Sequence, residues 1–100
     1  MLILFNRDCK FPLGSIVATK GVSDLARKDP NFAAFASESF ARHCEGDWGD
    51  LDDHDKLMNE RALQVDDRIL SRYVSPAGVA IYIITEWDRS ATTILFPEEY

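Results

Sequence analysis

Five aspartates fall within nine residues at 47–55 (Asp47, Asp50, Asp52, Asp53 and Asp55), with His54 among them. Oxygen donors at that density suit a hard cation such as calcium or magnesium. The spacing argues against one. An EF-hand loop needs acids at alternate positions, glycine at the sixth and glutamate at the twelfth, and no starting aspartate here satisfies that register. Aspartate also accepts backbone N–H bonds in turns and helix caps, so the expectation is capping and solvation, with no bound metal and no cofactor.

His43 and His54, with Asp47, Asp50 or Glu86, are the groups from which a small metal-assisted hydrolase would be assembled. Their spacing does not by itself bring them together. His43 falls in the last turn of an amphipathic helix, on its apolar side, where an imidazole more often bonds a carbonyl than reacts. Glu86, Trp87, Asp88 and Arg89 form a possible ligand loop, with Arg89 placed for a local ion pair to Glu86 or Asp88. Neither a GxSxG nucleophile elbow nor a phosphate-cradling glycine loop occurs in the chain, so no catalytic residue is assigned. Trp48 stands between Gly46 and Gly49, as either a partner-binding anchor or a plug in the core. So tight a loop favours the plug.

Stepping outward to charge, the net value of -6 is concentrated in the middle of the chain. Residues 45–67 carry nine Asp/Glu against two Lys/Arg, while residues 1–44 carry four against six. A negative surface repels phosphate backbones, which excludes nucleic acid as a direct ligand. It suits a basic protein face instead, including that of a nucleic-acid-binding protein. Hydrophobic residues make up 46% of the 100 positions, enough for one domain with a modest core. Cys9 and Cys44 lack metal or CxxC spacing, and two reduced, partly buried thiols are expected. The apolar start at residues 2–5 has no basic lead, and the apolar run at 79–84 is too short to span a bilayer. A cytoplasmic protein with no membrane association is expected.

The chain reads as an α+β domain spanning residues 1–100. Residues 2–5 and 15–19 read as short strands, and a brief helical turn follows Gly21 and stops before Pro30. A helix capped by Asn31 runs to about His43, with Phe32, Phe35, Ala36, Phe40 and His43 on one face. Gly46 ends it. A second helix covers about 52–65, with a stripe of Leu51, Met58, Ala62 and Val65 and acids in the first turn that suit its dipole. Strands at 68–74, 79–86 and 91–96 form a meander whose middle strand is apolar on both faces and therefore central. The fold expected is an antiparallel sheet, made of this meander plus a short N-terminal strand, packed against two main helices.

Four segments carry a resemblance: 13–19, 42–51 with Gly46-Asp47-Trp48-Gly49, 55–63 with Asn59, and 83–100 with Asp88-Arg89-Ser90-Ala91-Thr92-Thr93. Together they resemble a family of small uncharacterised bacterial proteins labelled plasmid-related, over residues 11–100. The resemblance implies a setting, cargo of plasmids and integrative elements, and supplies no activity or catalytic residue. Some members carry restriction-subunit labels, yet this chain has no methyltransferase or nuclease motif. It also places Trp87 where the family has alanine, which changes the wall of that loop.

The reading that follows is an accessory protein of a mobile element. It is a non-catalytic protein-binding module, with Asp47, Trp48, Asp50, Asp52, Asp53 and Asp55 as the binding residues. The alternatives are the metal-assisted hydrolase and a homo-oligomeric structural module with Trp48, Trp87 or Tyr100 buried across a two-fold axis.

Overall fold

The computed structural model describes residues 9–100. The strand expected at residues 2–5 lies outside them. The elements in chain order are β1 (Ser15–Ala18), α1 (Lys20–Lys28), α2 (Pro30–Cys44), α3 (Asp53–Gln64), β2 (Ile69–Val74), β3 (Ala80–Thr85) and β4 (Ala91–Leu95), then a 3-10 turn at Pro97–Glu99.

The expected meander is present: β3 pairs antiparallel with both β2 and β4 and so lies inside the sheet. The sheet is nevertheless mixed. Its order is β1-β4-β3-β2, and β1 runs parallel to β4, with Ser15 opposite Ala91 and Ala18 opposite Ile94. A four-residue segment carries too little periodicity to place it, so the expected antiparallel sheet rested on the meander alone and the direction of residues 15–19 was open.

The brief turn expected after Gly21 is a full nine-residue helix. The Thr19 hydroxyl caps it by accepting from Val22 N, and Arg27 and Lys28 stand at its negative end. The cap of α2 is Asp29, not Asn31: its carboxylate accepts from Asn31 N and Phe32 N at 3.0 and 3.2 Å. Pro30 follows as the first helical residue, where its missing N–H costs nothing. For α3 the expected start holds, with Asp52 accepting from Asp55 N at 2.8 Å.

Val22 and Phe32 pack against Tyr73, Ile81 and Ile83, which puts α1 and α2 on one face of the sheet. A second cluster joins Phe11, Trp48, Ala62 and Ile69 under α3. The stripe expected on α3 is only partly buried: Ala62 faces the core, whereas Met58 and Val65 are exposed and Asn59 is buried in their place. Among the described residues no helix is long and apolar enough to cross a membrane.

Cys9 and Cys44 are joined by a disulfide, with Cα atoms 4.6 Å apart, where two free thiols are expected from sequence. The reason is positional. Lys10 N donates to the Cys44 carbonyl at 2.9 Å, so the chain entering the domain runs past the end of α2 and brings the two sulfurs together.

Candidate functional site

The acidic stretch begins in the loop between α2 and α3, which is built as a clasp along the outer edge of β2. Gly46 (φ +85°) turns the chain out of α2, and Gly49 (φ +78°) turns it again against the sheet. A Cβ at Gly49 would collide with the Arg72 carbonyl and the Tyr73 ring, so no other residue fits there. Arg72 N donates to Trp48 O at 3.2 Å, and Asp50 N donates to Arg72 O at 2.6 Å. One residue pair along, the Asn59 amide takes the same part: it donates to Leu70 O at 2.7 Å and accepts from Leu70 N at 3.2 Å.

Within this clasp the aspartates divide by role. Asp47 is held by the Arg42 guanidinium at 2.7 and 3.2 Å, and its pKa is lowered first by that hydrogen bond, against some desolvation. Asp50 pairs with Arg72 at 2.7 Å, and Asp52 caps α3. Asp53, Asp55 and Asp66 are exposed, and their carboxylates have no partner among the described residues. Trp48 is 4% exposed, and its indole N–H donates to Glu60 at 2.7 Å. It is the plug, so it lies beneath the binding surface that the sequence assigned to it.

The exposed tryptophan is Trp87, 60% accessible, in the β3–β4 turn. Arg89 locks that turn to the end of α3. Where a local ion pair is expected, its guanidinium instead donates to backbone carbonyls: Asp67 at 2.5 Å, Ala62 at 2.8 Å, Glu86 at 3.0 Å and Trp87 at 3.4 Å. Arg89 adopts φ +61°, an uncommon conformation for a side-chain-bearing residue, while holding these bonds. One nitrogen contacts both Asp67 O and Trp87 O, so Trp87 and Asp88 lie beside Asp66 and Asp67. Val65 is exposed at the same helix end, and Leu57 and Met58 are exposed further along α3. The outer surface of α3 thus has acids at both ends, and between them Leu57, Met58 and Val65 are exposed among Lys56, Glu60, Arg61 and Gln64.

His43 is fully buried, sealed beneath Phe11 and Trp48. Its Nδ1 lies 2.6 Å from Ser71 Oγ and its Nε2 2.9 Å from Thr85 Oγ1. Thr85 Oγ1 is 2.7 Å from Thr92 Oγ1, which donates to the Leu13 carbonyl at 2.8 Å. A carbonyl can only accept, so the chain has one direction. Thr92 accepts from Thr85, Thr85 accepts from His43 Nε2–H, and Nδ1 accepts from Ser71. Burial lowers the His43 pKa to about 3, which keeps the ring neutral. His54 is exposed on α3, and among the described residues no three His, Cys, Asp or Glu side chains converge as a metal site.

A groove of about 600 Å³ opens at the opposite end of the sheet, lined by Leu25, Phe32, Phe35 and Val79. Asp29, at its rim, is committed to capping α2. Comparison of the chain with protein-family models, curated proteins and solved structures gave no match.

The sequence missed the roles of Asn59 and Arg89, and the His43 network. Asn59 lies beside the expected stripe of Leu51, Met58, Ala62 and Val65, and its burial follows from the face of α3 that meets β2. Arg89 gives no signal, because nothing local indicates that a guanidinium will reach 27 residues back to Ala62.

Proposed function

We propose that this chain is a non-catalytic protein-binding module, presenting the outer surface of α3 and the Trp87 turn to a basic, partly apolar protein segment. The observation that carries this reading is the fixed placement of exposed Trp87 beside Asp66 and Asp67, through the Arg89 guanidinium. An exposed aromatic on a turn whose backbone is tied beside two acids supplies the anchor and the charged rim of a hot spot. The acids add steering and partner selection more than raw affinity. A nucleic-acid-binding protein is within the range of partners, since its basic face would meet carboxylates where it usually meets phosphates.

The accessory role in a mobile element, and a cytoplasmic setting, belong to the same proposal and rest on the resemblance and on the sequence. In a reducing cytoplasm Cys9 and Cys44 would be held as thiols. The hydrolase alternative loses its principal base, since a sealed, neutral His43 meets no substrate.

Affinity capture from a bacterial lysate at low and moderate salt tests the proposal. It compares the wild type with Asp53→Asn/Asp55→Asn/Asp66→Asn, three carboxylates without a hydrogen-bond or ion-pair partner among the described residues. The wild type retains a basic protein in a salt-sensitive way, and the triple variant releases it while melting only a few degrees lower, the cost of two first-turn acids lost to the α3 dipole. Equal retention by both chains refutes the acidic face.

A further inference from the structure

The two edges of the sheet are finished differently. On β2 the outward backbone groups of Leu70 and Arg72 are taken by Asn59, Trp48 and Asp50. On β1 the bonds Ser15 N to Ser90 O (3.0 Å) and Thr19 N to Ile94 O (3.1 Å) turn the odd-numbered residues toward β4. Alternation then points the N–H and C=O of Ile16 and Ala18 outward. Among the described residues nothing pairs with them. All four β1 residues are exposed, Ile16 by 60% and Val17 by 46%. The strand carries no lysine, proline or bulge, so its shortness, four residues, is the one device it has against edge pairing.

We propose that β1 is a self-association edge, with two copies pairing β1 antiparallel across a two-fold axis at Val17 to give one continuous eight-stranded sheet. In this register Ile16 of each copy exchanges both backbone bonds with Ala18 of the other. Val17 faces its own counterpart as the non-hydrogen-bonded pair. The side chains of Ile16 and Ala18 lie on the helix-bearing face, where with Ala33, Ala36 and Phe40 they line a groove of about 370 Å³. Small residues there leave room for the second copy's Ile16.

Charge selects a second copy as the occupant. The strand itself is uncharged, and the acidic stretch of residues 45–67 ends before β2, at the far edge of the sheet, so two chains of net charge -6 meet away from it, with Glu99, bonded to Thr19 at 2.8 Å, at the end of the seam. Antiparallel pairing also sets the end of one strand beside the start of the other. Lys20, exposed and ion-paired with Asp24 of its own helix at 2.7 Å, then comes near the Asp88 turn, which abuts Ser15 through Ser90.

Sedimentation of the full chain over a concentration series gives a reversible dimer for the wild type. Val17→Asp, which opposes two carboxylates at the axis, gives a folded monomer. Cross-linking tests the register independently. Paired Val17 Cα atoms would sit ~4.5 Å apart, within disulfide range, so Val17→Cys forms a covalent dimer under mild oxidation. Ser15→Cys, which opposes Thr19, does not. A wild type that stays monomeric at its highest soluble concentration overturns the proposal. So does a Val17→Cys chain that cross-links no faster than Ser15→Cys.

Discussion

Ser71 Oγ and His43 Nδ1 lie 2.6 Å apart, the spacing of a nucleophile and its base, yet both residues are fully buried. The pair is therefore a structural joint between α2 and β2. A neutral imidazole fits it because the chain from Ser71 to the Leu13 carbonyl needs one nitrogen to accept and the other to donate. Protonation would turn the Nδ1 acceptor into a second donor.

This joint makes folding sensitive to acid. The folded pKa of about 3 lies below the ordinary 6.5, so as pH falls the unfolded chain binds the proton first. The contribution of His43 is complete above pH 6.5 and is lost progressively between 6.5 and 3. At pH 4.5 the loss amounts to ~2–3 kcal/mol. Urea midpoints measured from pH 7.5 to 4.5 should fall accordingly. In His43→Gln the pH 7 stability is lower, and the slope over that window is correspondingly flatter.

Asn59 is the second joint. Its amide satisfies both backbone groups of Leu70 at a partly buried site, so Asn59→Leu strands a donor and an acceptor, at ~1–3 kcal/mol for each group left unpaired. Denaturant unfolding should show that drop, and hydrogen exchange should show lost protection at Leu70 N while the centre of β3 is kept.

The two tryptophans should report separately. Trp87→Phe leaves Trp48, whose emission is blue-shifted and resists acrylamide. Trp48→Phe leaves an emission that is red-shifted and readily quenched, because Trp87 stands in solvent. Equal quenching of the two variants would contradict their placement.

Closing Cys9 to Cys44 spans a separation of 35 residues. By the chain-entropy estimate it stabilises the fold by ~3–4 kcal/mol. Thermal melts with and without reductant check this, and Cys9→Ser should match the reduced wild type.

The elements that repeat were legible from the residues. The three meander strands and the helix that Asp52 caps follow from alternation, a capping aspartate and glycine stops, all of them local signals. The direction of β1 was not legible, because it depends on which strand lies beside it. The core role of Trp48 was favoured from its glycine-flanked loop, while the exposed counterpart could be located only once Arg89 was seen to tie its turn to the end of α3. Of the acidic stretch, sequence marked every aspartate alike. Only the positions of Arg42 and Arg72 separate Asp47 and Asp50, which hold the fold, from Asp53, Asp55 and Asp66, which do not.

The interaction proposed is that of α3 and the Trp87 turn with a basic protein. Its most direct measurement is the affinity of the purified partner retained in the capture, titrated over a salt series against the wild type, Asp53→Asn/Asp55→Asn/Asp66→Asn and Trp87→Ala. In the triple variant binding weakens and its salt dependence flattens, whereas Trp87→Ala costs ~2 kcal/mol or more with the salt dependence kept. Affinities and salt slopes that match the wild type in both variants would contradict the proposed interaction.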